Sequence, residues 1–85
     1  MEVYFQQTFR KQFKKSPKKI QLKFEERFRM LVTDGRNPLL KLHILKGDRY
    51  PMKSMNVTGD YRALFIVNKN TITFYEIGTH SELYK

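Results

Sequence analysis

Apolar and polar positions change their period along this chain, and the changes mark its elements. Glu2–Gln6 alternates, is rich in Val, Tyr and Phe, and reads as a first strand. Thr8 is placed to cap a helix, and Phe9 and Phe13, four apart, share one face of that short basic element. Ser16-Pro17 restarts the pattern. Serine suits an N-cap, and proline suits the first helical position because its missing N–H is not needed there. Ile20, Phe24, Phe28, Leu31 and Val32 then recur at helical spacing, with Lys18, Lys19, Lys23, Arg27 and Arg29 filling much of the remainder. That is an amphipathic helix of about four turns, ended by Asp34-Gly35. Two helices separated by one break are expected to pack as an antiparallel hairpin.

Residues 36–51 read as a loop, punctuated by Pro38, Gly47 and Pro51, with Leu39, Leu40 and Leu42 tucked onto the core. Met52–Val57 reads as a strand, Thr58-Gly59-Asp60 as a turn, and Tyr61–Val67 as a strand so apolar that it belongs in the middle of a sheet. Asn68-Lys69-Asn70 turns into a strand over Thr71–Ile77, and His80–Tyr84 forms a short terminal turn. The expected fold is α+β: one domain, 1–85, with an N-terminal strand and a helical hairpin on an antiparallel sheet of about four strands. The opposite face is expected to be concave and partly open. The first and last strands are expected to be the middle pair.

Composition narrows the function. The 85 residues carry 7 Phe and 5 Tyr, so the small core is expected to rest on aromatic rings. The absence of Cys excludes a disulfide scaffold, a thiolate zinc site and a cysteine nucleophile, and it fits a reducing cytoplasm. Glu2, Gln6, Gln7 and Arg10 interrupt any signal-peptide apolar run, and no stretch is long enough to span a bilayer. The net charge is +9, of which residues 1–50 carry +8 and residues 51–85 only +1. A field of that kind steers a protein toward polyanions, nucleic acid foremost; an anionic membrane or an acidic protein would also satisfy it, and a solvated surface is the plain alternative.

Few side chains suit catalysis. His43 and His80 are the only histidines, and neither has a metal-ligand partner at a familiar spacing. His80 directly follows a strand, where a rigid element holds a side chain that still meets solvent. Arg62 opens an otherwise apolar strand. It either pairs with the neighbouring Asp60 or offers its guanidinium to phosphate. Lys53 opens the preceding strand, beside Arg62 but not opposite it. Tyr84 either anchors the tail or takes part in stacking or proton transfer.

Three stretches carry a resemblance. His43-Ile44-Leu45-Lys46-Gly47, Ser54-Met55-Asn56-Val57-Thr58-Gly59-Asp60-Tyr61-Arg62 and Ile77-Gly78-Thr79-His80-Ser81-Glu82-Leu83-Tyr84 look like the RelE/ParE toxins, above all the RelE/StbE and YafQ-like branch. The helix break Phe13-Lys14-Lys15-Ser16-Pro17-Lys18-Lys19-Ile20 fits as well, so the resemblance spans nearly the whole chain. Glu76 stands where the family usually has Asp, and Asn56, which cannot exchange a proton, stands where the YafQ-like branch often has His.

The resemblance implies the toxin of a type II toxin–antitoxin system. Its activity would be that of a ribosome-dependent, metal-independent endoribonuclease, an mRNA interferase that needs no cofactor. The RNA's own 2′-OH would attack the adjacent phosphorus in the ribosomal A site. Such chemistry needs a base, an acid and cations for the charged phosphorane. By resemblance His80 and His43 are the acid/base candidates, Asp60 orients a histidine or accepts a proton, Lys53 and Arg62 stabilise the transition state, and Tyr84 positions or stacks on the RNA. Expected partners are mRNA, rRNA and an antitoxin encoded next door, with no membrane involved. ParE-like members of the same fold inhibit DNA gyrase instead. A non-catalytic basic RNA- or ribosome-binding module and a degenerate toxin are further alternatives.

Overall fold

The computed structural model describes residues 1–84. It begins with β1 (Glu2–Phe5), α1 (Gln7–Lys15) and α2 (Lys18–Thr33), continues through β2 (His43–Ile44), β3 (Lys53–Thr58), β4 (Tyr61–Asn68) and β5 (Thr71–Thr79), and ends in the short α3 (His80–Leu83). Single 3-10 turns lie at Pro38–Leu40 and Gly47–Arg49.

Helix starts differ slightly from those expected of the sequence. Gln6 rather than Thr8 sits at the N-cap of α1, so Thr8 lies within the helix. Ser16 closes α1 rather than opening α2; its Oγ donates to the Gln12 carbonyl, 2.9 Å away. Pro17 takes the α2 N-cap, where its fixed backbone starts the helix just as well. Gln21 Nε2 donates to the carbonyls of Phe13 and Ser16, which satisfies the end of α1 and ties the two helices together.

The sheet has five strands in the order β1-β5-β4-β3-β2. The fifth is His43–Ile44, paired antiparallel with β3 inside the stretch read as loop. The sheet is mixed rather than purely antiparallel, because β1 runs parallel to β5. The expectation of β1 in the middle is also corrected: β5 and β4 are central, and β1 is an edge. The four-residue β1 covers only Thr71–Phe74 of the nine-residue β5. Beyond it, Gln12 of α1 takes over the edge, its Oε1 accepting from the Ile77 N–H at 2.8 Å. One side-chain amide thus satisfies backbone that a longer β1 would have paired.

Both helices lie on one face. Phe9, Ile20 and Phe24 meet Met55, Val57, Ala63, Phe65, Ile72, Phe74 and Ile77 there, with Phe5, Phe13 and Phe28 closing the edges. Phe74 is fully buried at the centre, with ring centroids 5.2–5.9 Å from Phe5, Phe9, Phe24, Phe28 and Phe65. Each such ring contributes about 1.5–3 kcal/mol by leaving water. Leu40 is buried and Leu42 partly so, whereas Leu39, 53% exposed, points away from the core. The opposite face is less open than expected. Leu45, Leu64 and Leu83, with Met52 and Tyr84, form a second small cluster upon it.

Candidate functional site

Directly paired residues on neighbouring strands present side chains to the same face, so register assigns each candidate to a side. Two rows cross the face away from the helices. One runs His43, Ser54, Leu64, Glu76; the next runs Asn56, Arg62, Gly78. His43 and Arg62 therefore share this face, from β2 and β4, with β3 between them. Two strand spacings of about 4.8 Å across the sheet, and a further two residues or roughly 7 Å along it, separate their backbones. Lys53 does not join them. Its partner on β4 is Phe65, a member of the helix-side core, so Lys53 starts from the other face.

The chain end folds back over these rows as α3. Thr79 and Glu82 form a capping box: Thr79 Oγ1 accepts from the Glu82 N–H at 3.3 Å, and Glu82 Oε1 accepts from the Thr79 N–H at 2.8 Å. The first N–H of the helix, on His80, donates to the Asp60 carbonyl at 3.0 Å. The β3–β4 turn thus fixes where His80 begins, and places Asp60, with an exposed carboxylate, beside it.

His80 is exposed, and its ring lies 4.6 Å from that of Tyr84, one turn on. The Arg49 guanidinium sits 5.7 Å from the Tyr84 ring centroid. It also donates to Glu76 Oε2 at 2.7 Å and to the Leu83 carbonyl at 2.6 Å. Imidazole, phenol ring, guanidinium and carboxylate are held as one group. The Tyr84 hydroxyl is buried and finds no hydrogen-bond partner, as does the hydroxyl of Ser54. Tyr84 therefore offers its ring to its neighbours while its oxygen is sequestered.

Arg62, half-buried, pairs with Gly78, two residues before His80. Among the described residues it forms no ion pair with Asp60 or any other carboxylate; the pairs present are Lys23–Glu26, Arg27–Glu26 and Arg49–Glu76. His43 is exposed at the β2 edge, with Nδ1 3.4 Å from the Lys41 carbonyl. Asn56 is buried and donates to the Gly59 carbonyl at 3.4 Å, bracing the turn that carries Asp60.

The structure thus brings His80, Tyr84, Asp60 and Arg62 to one corner, sets His43 on the same face further out, and leaves Lys53 on the other side. Nothing in the sequence singles out Arg49. Its partner Glu76 lies 27 residues away, and Gly47-Asp48-Arg49 does not announce the pair. Among the described residues no three His, Asp or Glu side chains gather in a metal-ligating group, and no helix is long and apolar enough to cross a membrane.

No family model matches the chain, and no curated protein matches it in sequence. Solved structures match it over nearly its full length. YafQ from E. coli strain BL21(DE3) gives a TM-score of 0.87 at 18% identity, covering 99% of this chain and 98% of that one. A chain of the E. coli DinJ–YafQ toxin–antitoxin complex gives 0.83 at 18%, covering 99% and 97%. The YoeB/ParE toxin from Agrobacterium tumefaciens gives 0.79 at 16%, covering 94% and 99%. Identities this low speak for architecture alone, and by architecture the chain has the fold of the YafQ and YoeB/ParE toxins.

Proposed function

We propose that the chain is the toxin of a type II toxin–antitoxin pair and acts as an endoribonuclease on mRNA in the ribosomal A site, halting translation in the cytoplasm. The observation that carries this reading is the exposed His80 imidazole against the Tyr84 ring, which Arg49 supports in turn, at the corner where the backbones of Asp60 and Arg62 also lie, on a fold shared with toxins. The reaction asks little of a protein beyond proton transfer and charge. The ribose 2′-oxygen loses its proton and bonds to the neighbouring phosphorus. The P–O5′ bond breaks, and the departing 5′-oxygen gains a proton, leaving a 2′,3′-cyclic phosphate and a 5′-OH.

An imidazole has one nitrogen that can take a proton and one that can give it, and so serves either transfer. His80 is the group placed for one of them, and His43 supplies a second imidazole further out on the same face, in the row of Ser54. Arg62, whose guanidinium is taken by no carboxylate among the described residues, meets the dianionic phosphorane, where a guanidinium gives two-pronged contact with phosphate oxygens. Asp60, whose carbonyl accepts from the His80 N–H, is the acid at hand to orient that imidazole or accept a proton. Lys53, rooted on the far face, contributes to the positive field rather than to the phosphorane.

The DinJ–YafQ complex supports the corresponding partner here: a neighbouring gene's product, acidic or amphipathic, that folds onto this cationic surface.

The test is induced expression of wild type and His80→Ala in a bacterial host, with primer extension on an abundant mRNA and coexpression of the adjacent small gene. Wild type is expected to arrest growth and create discrete new 5′ ends, the neighbour to restore growth, and folded His80→Ala neither to arrest growth nor to cut. Arrest without cut mRNA would transfer the reading to gyrase inhibition or ribosome blocking.

A further inference from the structure

The sheet has a second feature at its β1 edge. A cavity of about 720 Å³ opens there, with Arg10, Lys11 and Lys14 of α1 on one wall and Tyr4 of β1 and Tyr75 of β5 on the other. No carboxylate lines it. Among the described residues none of the three cations forms an ion pair. Arg10 is oriented by its Nε, which donates to the Phe5 carbonyl at 3.0 Å. Tyr4, 53% exposed, is held through its hydroxyl by Glu2 Oε1 at 2.9 Å, so its ring is steadied although it faces solvent.

This cavity is not isolated. Gln6 and Tyr75 also line a smaller one, of about 280 Å³, whose other walls include Thr8, Met52 and Glu76. Glu76 is the carboxylate held by Arg49, and Arg49 lies against Tyr84 beside His80. The two depressions share Gln6 and Tyr75 and so form one trough, from the basic wall of α1 across Tyr75 to Glu76, the carboxylate that Arg49 ties to the Tyr84 ring. Cations along one side and aromatic rings along the other are what an unpaired strand requires: fixed charge for successive phosphates, and flat surfaces for bases that have left their stack. A duplex hides its bases and gives the rings nothing to hold.

We propose that this trough carries single-stranded RNA flanking the cleaved bond, its phosphates along Arg10, Lys11 and Lys14 and a base against Tyr4 and Tyr75. The proposal rests on the endoribonuclease reading of the His80 corner and extends it to how substrate is held.

The experiment is fluorescence anisotropy of the full chain with a labelled single-stranded RNA of about 12 nucleotides, within the ~4–16 nucleotide span of comparable grooves. Full 2′-O-methylation keeps it uncut, and the same sequence as a duplex serves for comparison. Removing three phosphate contacts in an Arg10→Ala/Lys11→Ala/Lys14→Ala variant is expected to flatten the log Kd–log salt slope by about 2. Tyr4→Ala is expected to weaken binding at least about fivefold at an unchanged slope. Each variant's circular dichroism is checked against wild type. A control with equal charge removed elsewhere, Lys18→Ala/Lys19→Ala/Arg36→Ala, is expected to lose less affinity.

Equal losses in control and trough variants, or duplex binding as tight as single-strand binding, would overturn the trough and leave the His80 reading untouched. Trough effects as expected, together with growth arrest but no cut mRNA from wild type in cells, would instead sink the catalytic reading and leave a single-strand RNA-binding groove.

Discussion

Tyr84 shows how a site can be read from an unmet need. A buried hydroxyl without a partner costs about 1–3 kcal/mol, and this one lies among Leu45, Leu64 and Leu83 while the ring engages His80 and Arg49. The ring acts as a support, which makes Tyr84 a positioning residue. Tyr84→Phe is accordingly expected to leave stability unchanged or raised by up to about 1 kcal/mol, and to keep mRNA cleavage within about threefold of wild type. Tyr84→Ala is expected to lose about 2 kcal/mol or more and most of the cleavage. Parallel urea melts and single-turnover cleavage would separate the two. A Tyr84→Phe variant that folds normally but no longer cuts would show that the phenol moves a proton and that its buried position opens during turnover.

At the scale of elements, alternation and helical spacing were legible, and partnership across the sheet was not. The strand over Tyr61–Asn68 was readable as central because apolar residues fill both of its faces. That β1 is an edge agrees with Glu2 and Tyr4 meeting solvent while Val3 and Phe5 face inward, an alternation the sequence already displayed. Lys53 could have been placed the same way. It shares parity with Met55 and Val57, the core positions of β3, whereas Ser54 and Asn56 share the face of Arg62. The strand at His43–Ile44 and the Arg49–Glu76 pair left no such trace, because each exists only through a distant partner.

Gly78 belongs with these. It reads as a strand terminator, yet β5 runs through it. A Cβ there would stand 2.9 Å from Glu82 Oε1 and 3.4 Å from Leu83 Cδ2. Gly78→Ala is therefore expected to push the Glu82 carboxylate off the Thr79 N–H and cost about 1 kcal/mol, the usual worth of a cap, as measured by urea unfolding. Adding Glu82→Ala should cost less than the two changes summed, because both break the same bond. Full additivity would mean that the alanine strains something other than the capping box.

For the whole molecule, one quantity acts in opposite directions on folding and on binding. A charge of +9 on 85 residues repels itself in the compact state, and most of it sits on α1, α2 and the loop after them. Raising ionic strength from ~0.01 to ~0.15 M shortens the screening length from about 30 to about 8 Å, less than the molecule's 24 Å shortest dimension. Repulsion between distant cations then fades, while the few close ion pairs, most of their side chains half-buried, are screened less. The melting temperature is therefore expected to rise with salt over this range. RNA affinity is expected to fall over the same range, because each phosphate contact releases a counterion into a solution that already holds more of them. Thermal melts and anisotropy titrations in matched buffers would read both. A melting temperature that falls with salt would mean that the cations stabilise the fold through attraction to carboxylates such as Glu25, Glu26 and Asp34, and that the surface is built for the protein itself rather than for a polyanion.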